Sequence, residues 1–174
     1  WLAENLIDFP PRRIGRYFIH GSHDSQGEGA PPAGSVAITL DAGAAFGSGE
    51  HPSTAGCLMA LDRLARGKSF RRPLDMGCGS GILSLAMAKT WRAPVVACDI
   101  DDEAVRVTTA NAARNGVARG RPYNLIVANI LARPLHAMAG ELTRALTPDG
   151  IAVLSGLIMR DAHFVIAPHR AHGL

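Results

Sequence analysis

Paired cysteines are missing from this sequence. Its three thiols, Cys57, Cys78 and Cys98, form no C-x-x-C pair and leave one over, which suits a reducing compartment better than a disulfide framework. The seven histidines lack ligand spacing, so no metal site is expected. No apolar run approaches the roughly 18 residues of a membrane span, and no signal peptide opens the chain; the expected location is cytoplasmic and no membrane partner is expected. A P-loop G-K-[ST] is absent too, so nucleotide hydrolysis would have nothing to hold its phosphates. Charge of one sign does not accumulate strongly. The net charge is +3, with basic residues scattered as in Arg12/Arg13/Arg16 and Arg63/Arg66/Lys68/Arg71/Arg72. Runs of this kind are ordinarily solvated faces, and no direct nucleic-acid contact is expected.

What the chain does have is a texture of alternating strands and helices. Its 174 residues, 47% hydrophobic and 19% charged, fit one globular domain with a real core. "WLAENLIDF" (1–9) reads as a short helix ended by Pro10-Pro11, and "RIGRYFIH" (13–20) and "SVAITL" (35–40) read as strands around a polar connector. Pro52 suits a first helical turn, and Cys57, Leu58, Leu61 and Leu64 recur at helical spacing up to Gly67. A short strand (72–77), a helix (81–90), a continuous apolar strand (94–100) and an acid-opened helix (102–115) follow. Beyond them the pattern gives a buried strand (123–130), a helix (132–146) and a strand (150–156). The alternation predicts an α/β fold built on a mostly parallel sheet with helices on both faces. One join looks too short. Only "GVARGRP" separates Asn115 from Tyr123, where a further strand and connection are expected, so residues are expected to have been skipped within Ala118–Pro122.

Two glycine-rich stretches carry the chemistry. "DMGCGSG" (75–81) follows a strand and opens a helix, so Gly77, Gly79 and Gly81 let the backbone turn tightly and approach a ligand. Asp99 ends the next strand, 22 residues after Gly77, where an acid can accept both hydroxyls of a ribose. Together they predict an adenosine-type ligand. The third glycine comes one residue too early for the G-x-G-x-x-G of a pyrophosphate loop. That spacing, with an acid two residues before the first glycine, resembles the loop of S-adenosylmethionine-dependent methyltransferases. An NAD-dependent oxidoreductase is the alternative.

The motifs "AFGSGEHPST", "DMGCGSGIL", "CDIDDEAV", "NAARNG" and "VANILARPL", taken in order, closely resemble the bacterial ribosomal protein L-eleven methyltransferases, from about Trp1 to about Ser155. The resemblance implies a Rossmann-like class I methyltransferase fold with S-adenosyl-L-methionine as cofactor. It also implies a ribosomal large-subunit protein as substrate, methylated at lysine side chains and the N-terminal amine; a monomer is expected. By the same resemblance, cofactor contacts fall on Thr54, Gly77, Asp99 and Asn129. Residues 1–40 are then a lead-in or linker after a missing N-terminal recognition domain, and 41–174 the methyltransferase domain, incomplete near 118–122 and at its C-terminus. Loss of the recognition domain raises a second alternative, a non-catalytic remnant that binds cofactor or ribosomal protein.

Each candidate also has a plainer reading. Gly77 and Gly79 could be turn formers, Cys78 is read as a packing residue, and Asp75 either braces the loop or touches the ligand. Asn129 either ends its strand or aims an amine with its amide oxygen, the one catalytic role assigned. Thr54 could be a helix-end hydroxyl, and His51 is given a loop-orienting bond rather than catalysis. Phe46 is a candidate to stack on or cover the ligand. Residues 45–54 are expected to fold over the reactive end of the cofactor as a lid.

Overall fold

Strand β6 (Tyr123–Asn129) is the spine of the molecule, and its side chains show how the layers are laid. Leu125 and Val127 face one hydrophobic cluster, while Ile126 and Ala128 face two others on the opposite side. That period of two is what a strand buried on both faces requires. The computed structural model describes residues 10–21, 30–40, 51–115 and 123–174. The expected helix at 1–9 and the expected gap at 118–122 lie outside them.

Around β6 the described main sheet has the order β5-β4-β6-β7, with β4 (Pro73–Met76), β5 (Val96–Cys98) and β7 (Leu146–Ser155) all parallel. Helices α1 (Pro52–Leu64) and α2 (Ile82–Trp91) cover the Leu125/Val127 face. The other face is covered by α4 (Ala132–Ala137), α5 (Ala139–Ala145) and, after a short turn of 3-10 helix, α6 (Ala162–Ala171). Helix α3 (Asp102–Asn115) joins β5 to the segment before β6. A parallel sheet with helices on both faces is the predicted architecture.

A second sheet of three strands, β1 (Arg12–Ile14), β2 (Tyr17–His20) and β3 (Val36–Thr39), packs outside α2. Tyr17, Ile19, Ile38 and Leu40 belong to the same core cluster as α1 and α2. The Lys89 ammonium donates to the Ala37 carbonyl at 2.7 Å, and the Asn115 amide donates to the Thr39 carbonyl at 3.0 Å.

Four local expectations need correction. "RIGRYFIH" is not one strand but a hairpin of β1 and β2, because Gly15 takes a left-handed φ of 57° and turns the chain. Arg16 in that turn is held by Asp62 of α1 at 2.6 Å. The stretch 94–100 is a strand only over Val96–Cys98; it is half-buried rather than buried, since β5 is an edge among the described strands. The helix read over 132–146 is broken by one residue, Met138 (φ −89°, ψ 1°), and stops at Ala145. Leu146 then opens β7 four residues before the expected start of that strand, pairing with Tyr123 across an irregular stretch of register.

Candidate active site

All four strands of a parallel sheet end on the same side, and a crevice there is the usual ligand site of such folds. Here the ends of β4, β5, β6 and β7 surround a cavity of about 1130 Å³. Met76 and Gly77, Cys98 to Ile100, Asn129 to Leu131 and Ser155 to Ile158 line it, with His51 to Ser53 at the start of α1.

The glycine loop is built from its backbone. Gly77, Gly79 and Gly81 all have left-handed φ, 75°, 51° and 83°. The N–H groups of Gly77 and Cys78 both donate to the Cys98 carbonyl, at 2.8 and 3.1 Å. From α3, the Thr108 hydroxyl donates to the Gly79 carbonyl and the Asn111 amide to the Ser80 carbonyl, each at 2.8 Å. Gly77 also has no room for a side chain. A Cβ there would lie 2.3 Å from a methyl of Ile130, and a Cβ on Gly156 (φ 82°) would lie 2.5 Å from the Ile130 backbone carbonyl oxygen.

Asp99 and the loop form one unit. The Gly79 N–H donates to Asp99 Oδ2 at 2.9 Å and the Asp101 N–H to Oδ1 at 3.1 Å. Each carboxylate oxygen keeps a further lone pair, and Asp99 faces the cavity. Asp75, fully buried, ties the end of β4 to the first turn of α2, as its Oδ2 accepts the Ser84 N–H at 2.9 Å and hydroxyl at 2.6 Å. Its Oδ1 has no partner. Burial first, and the nearby Asp99 charge after it, push its carboxyl up to about 6 against the hydrogen bonds from Ser84.

On the opposite wall the Asn129 amide donates to the Thr54 hydroxyl at 3.2 Å. Thr54 is buried and does not line the cavity; Asn129 does. His51 is the N-cap of α1, its Nδ1 accepting the Ser53 N–H at 3.3 Å, so its bond orients the helix start; the loop before it lies outside the described residues. The Ser155 hydroxyl ties β7 to this corner by donating to the Ser53 carbonyl at 3.2 Å. Cys57, behind Thr54 on α1, is a buried thiol pushed up to about 11 chiefly by desolvation.

Of the predicted site residues, then, Gly77, Asp99 and Asn129 line one cavity, while Gly79 and Thr54 reach it through hydrogen bonds to Asp99 and Asn129. Phe46 and most of the expected lid, 45–50, lie outside the described residues. The sequence reading missed Ser155, Leu157, Ile158, Leu131 and Met138. For all but Met138 the only signal was position, since 130–131 and 155–158 lie at the ends of strands parallel to β4; Met138 comes from the break between α4 and α5. Among the described residues no group of three or more His, Cys, Asp and Glu side chains could hold a metal ion. No helix among them is long and apolar enough to cross a membrane.

Comparison with known proteins agrees with this arrangement. The family model described as ribosomal protein L11 methyltransferase matches residues 1–173. The ribosomal protein L11 methyltransferase of Rhizobium meliloti (strain 1021) is 43% identical over 191 residues, covering 100% of this chain and 65% of that protein. That of Caulobacter sp. (strain K31) is 40% identical, covering 99% of this chain and 64% of its own length. This chain thus spans slightly less than two thirds of these relatives. Among solved structures, a ribosomal protein L11 methylase from Lactobacillus delbrueckii subsp. bulgaricus superposes with a TM-score of 0.78 at 29% identity, over 93% of this chain and 88% of that one. A precorrin-6y C5,15-methyltransferase from Geobacter metallireducens GS-15 shares the fold alone, with a TM-score of 0.55 at 14% identity over 68% of this chain and 70% of that one. With nearly every residue inside the family match and the glycine loop, Asp99 and Asn129 gathered at one sheet end, this chain belongs to the ribosomal protein L11 methyltransferase family.

Proposed function

We propose that this chain is an S-adenosylmethionine-dependent N-methyltransferase whose acceptor is ribosomal protein L11, at lysine side chains and the N-terminal amine. One observation carries the reading: Asp99 on the glycine-loop side and Asn129 on the opposite side line the same cavity. The residues fit the cofactor. Asp99 is already oriented by Gly79 and keeps lone pairs for ribose hydroxyls. Gly77 offers bare backbone, and apolar Met76, Ile100 and Ile130 suit the flat face of a base. The cavity, about 1130 Å³, is at the upper end of ordinary small-molecule sites and open to solvent on the side where an acceptor side chain would enter.

When bound, S-adenosylmethionine supplies a methyl group already activated by its sulfonium, so the protein's task is binding, aiming and exclusion of water. Asn129 does the aiming. Its Nδ2 is committed to Thr54, which leaves Oδ1 to accept an N–H of the incoming amine. A lysine amine, ordinarily near pKa ~10.4, loses its proton more readily in a desolvated cavity. Leu131, Leu157 and Ile158 give the cavity an apolar rim that a bound acceptor would cover, excluding water from the amine, and no strong base is required.

In this reading residues 1–40 lead into a methyltransferase domain at 41–174, with β1–β3 fastening the lead-in to α2 and α3. The matched stretch of the R. meliloti protein is longer than this chain, 191 positions against 174, which supports residues having been skipped, as the short 116–122 join suggests. The enzyme is taken to act as a cytoplasmic monomer. Of the two alternatives, an NAD-dependent oxidoreductase has the family match against it.

Transfer of a radiolabelled methyl group to purified L11, with a full-length relative as positive control, tests the function. Calorimetry with S-adenosylmethionine and NADH runs beside it. Methyl incorporation with S-adenosylmethionine binding is expected; NADH binding without it overturns the proposal. Cofactor binding with no turnover would make the chain the non-catalytic remnant.

A further inference from the structure

The basic residues that look scattered in the sequence converge in the fold. From Arg63 to Cys98 the chain carries Arg63, Arg66, Lys68, Arg71, Arg72, Lys89 and Arg92 against one carboxylate, Asp75, and that one is fully buried. The connector from α1 to β4 is tied to the end of α2, because the Trp91 indole donates to the Lys68 carbonyl at 3.0 Å and stands edge-on to Phe70 at 4.8 Å. Arg63, Lys68, Arg71, Arg72 and Arg92 are therefore gathered at the starts of β4 and β5, and all are exposed. This is the end of the sheet opposite the cavity, β4 alone separating the two by roughly 13 Å.

These cations are not explained by internal pairing. Asp62 holds Arg16 and Arg66, and among the described residues no carboxylate pairs with the other five. Asp149, on β7, lies across β6 from them. Arg63 complements the C-terminal end of α1, but Lys68, Arg71 and Arg72 stand in a connector. Arg92 is the more telling residue. It is the one non-glycine with a positive φ among the described residues, 49°, at a helix end where glycine is the usual occupant. A guanidinium held in strained backbone points to a use for the side chain outside the helix.

We propose that this face binds the phosphate backbone of RNA. Four of its five unpaired cations are arginines, whose planar fork matches phosphate. Between residues 60 and 99 no large hydrophobic side chain is exposed, so the face lacks the apolar anchors that a bilayer surface would need. The choice of RNA rests on the proposed ribosomal acceptor; the charge argument does not. Such contacts fix position without reading sequence, and here they would hold the enzyme on ribosomal RNA with its cavity facing away.

The test is fluorescence anisotropy with a labelled 20-nucleotide RNA duplex, with neither cofactor nor acceptor present. Five phosphate contacts predict an affinity that falls about 10²- to 10³-fold between 50 and 200 mM salt. Arg71→Gln/Arg72→Gln should reduce the log–log salt slope by about 2. Arg92→Gly should raise the melting temperature by relieving the backbone while weakening RNA binding. Unchanged RNA binding in both variants overturns the proposal, as does absence of binding at 50 mM salt. Tighter binding to phosphatidylglycerol vesicles than to RNA overturns it in favour of a membrane. Methyl transfer to free L11 is measured separately on the same proteins, so failure of that reaction and failure of RNA binding are told apart.

Discussion

Thr54 and Asn129 lie 75 positions apart in the chain, yet the threonine hydroxyl takes the asparagine amide at 3.2 Å and so decides which end of that amide is left for the cavity. One residue sits in the first turn of α1 and the other ends β6. In the proposed function this pairing makes Thr54 the positioning residue and Asn129 the one that aims the amine.

Thr54→Val should therefore lower kcat about tenfold or more, since small misplacements of reacting groups are costly, while cofactor affinity stays near wild type. Asn129→Ala should lower it further. The double variant should be no worse than Asn129→Ala alone, the non-additivity expected of residues acting as a unit. Single-turnover methyl transfer beside cofactor titration provides the check; additive losses would separate the two roles.

Asp99→Ala should weaken S-adenosylmethionine binding by about 1–3 kcal/mol, the worth of hydrogen bonds to a charged group. Isothermal calorimetry reads it directly. An unchanged affinity would remove the ribose assignment.

Gly77→Ala meets two costs, a left-handed φ of 75° and a methyl of Ile130 at 2.3 Å from the new Cβ. Together these should destabilise by about 2–5 kcal/mol, from backbone strain of ~1–2 and overpacking of ~1–3. Adding Ile130→Ala should relieve the overpacking but not the strain. Chemical denaturation of the three proteins distinguishes the parts.

The burial of Asp75 gives stability a pH dependence of a definite sign. Its carboxyl is raised from 3.8 to about 6, so the folded state binds its proton more tightly than the unfolded chain does. That contribution is full below about pH 4 and is lost as pH rises through 6. Asp75→Asn keeps an oxygen for Ser84 but never ionises. Relative to wild type it should gain about 1–3 kcal/mol between pH 4 and pH 7, measured by urea denaturation at both.

The sheet and the glycine loop were legible in the sequence because their signals are local. A strand buried on both faces needs a run such as Leu125–Ala128, and a tight approach needs Gly77. Helix α6 was not, and the reason is physical. Pro168 inside it removes the N–H that would have bonded the Phe164 carbonyl, so the pattern does not read as helix. In the fold, His136 of α4 donates its Nδ1–H to that same carbonyl at 2.8 Å and stacks its ring on Phe164 at 4.0 Å. The repair comes from 28 residues away and no local window contains it. The hairpin at Gly15 was missed similarly, being pinned by Asp62 of α1. In the site, Asp99 and Asn129 were legible as strand ends. Ser155 and Ile158 were not, because nothing in their residue types marks them; only the parallel pairing of β7 with β6 brings them to the cavity.

Ile130 is wedged between Gly77 and Gly156 with room for a side chain on neither. The two glycines meet different parts of it, Gly77 the side chain and Gly156 the backbone with its carbonyl. A side chain introduced at 156 would meet the Ile130 backbone, and any shift of that backbone would carry the Ile130 side chain with it at the glycine loop. The turns that follow β6 and β7 are thus fitted to each other as well as to the glycine loop, so substitutions at 77, 130 and 156 have to be chosen together.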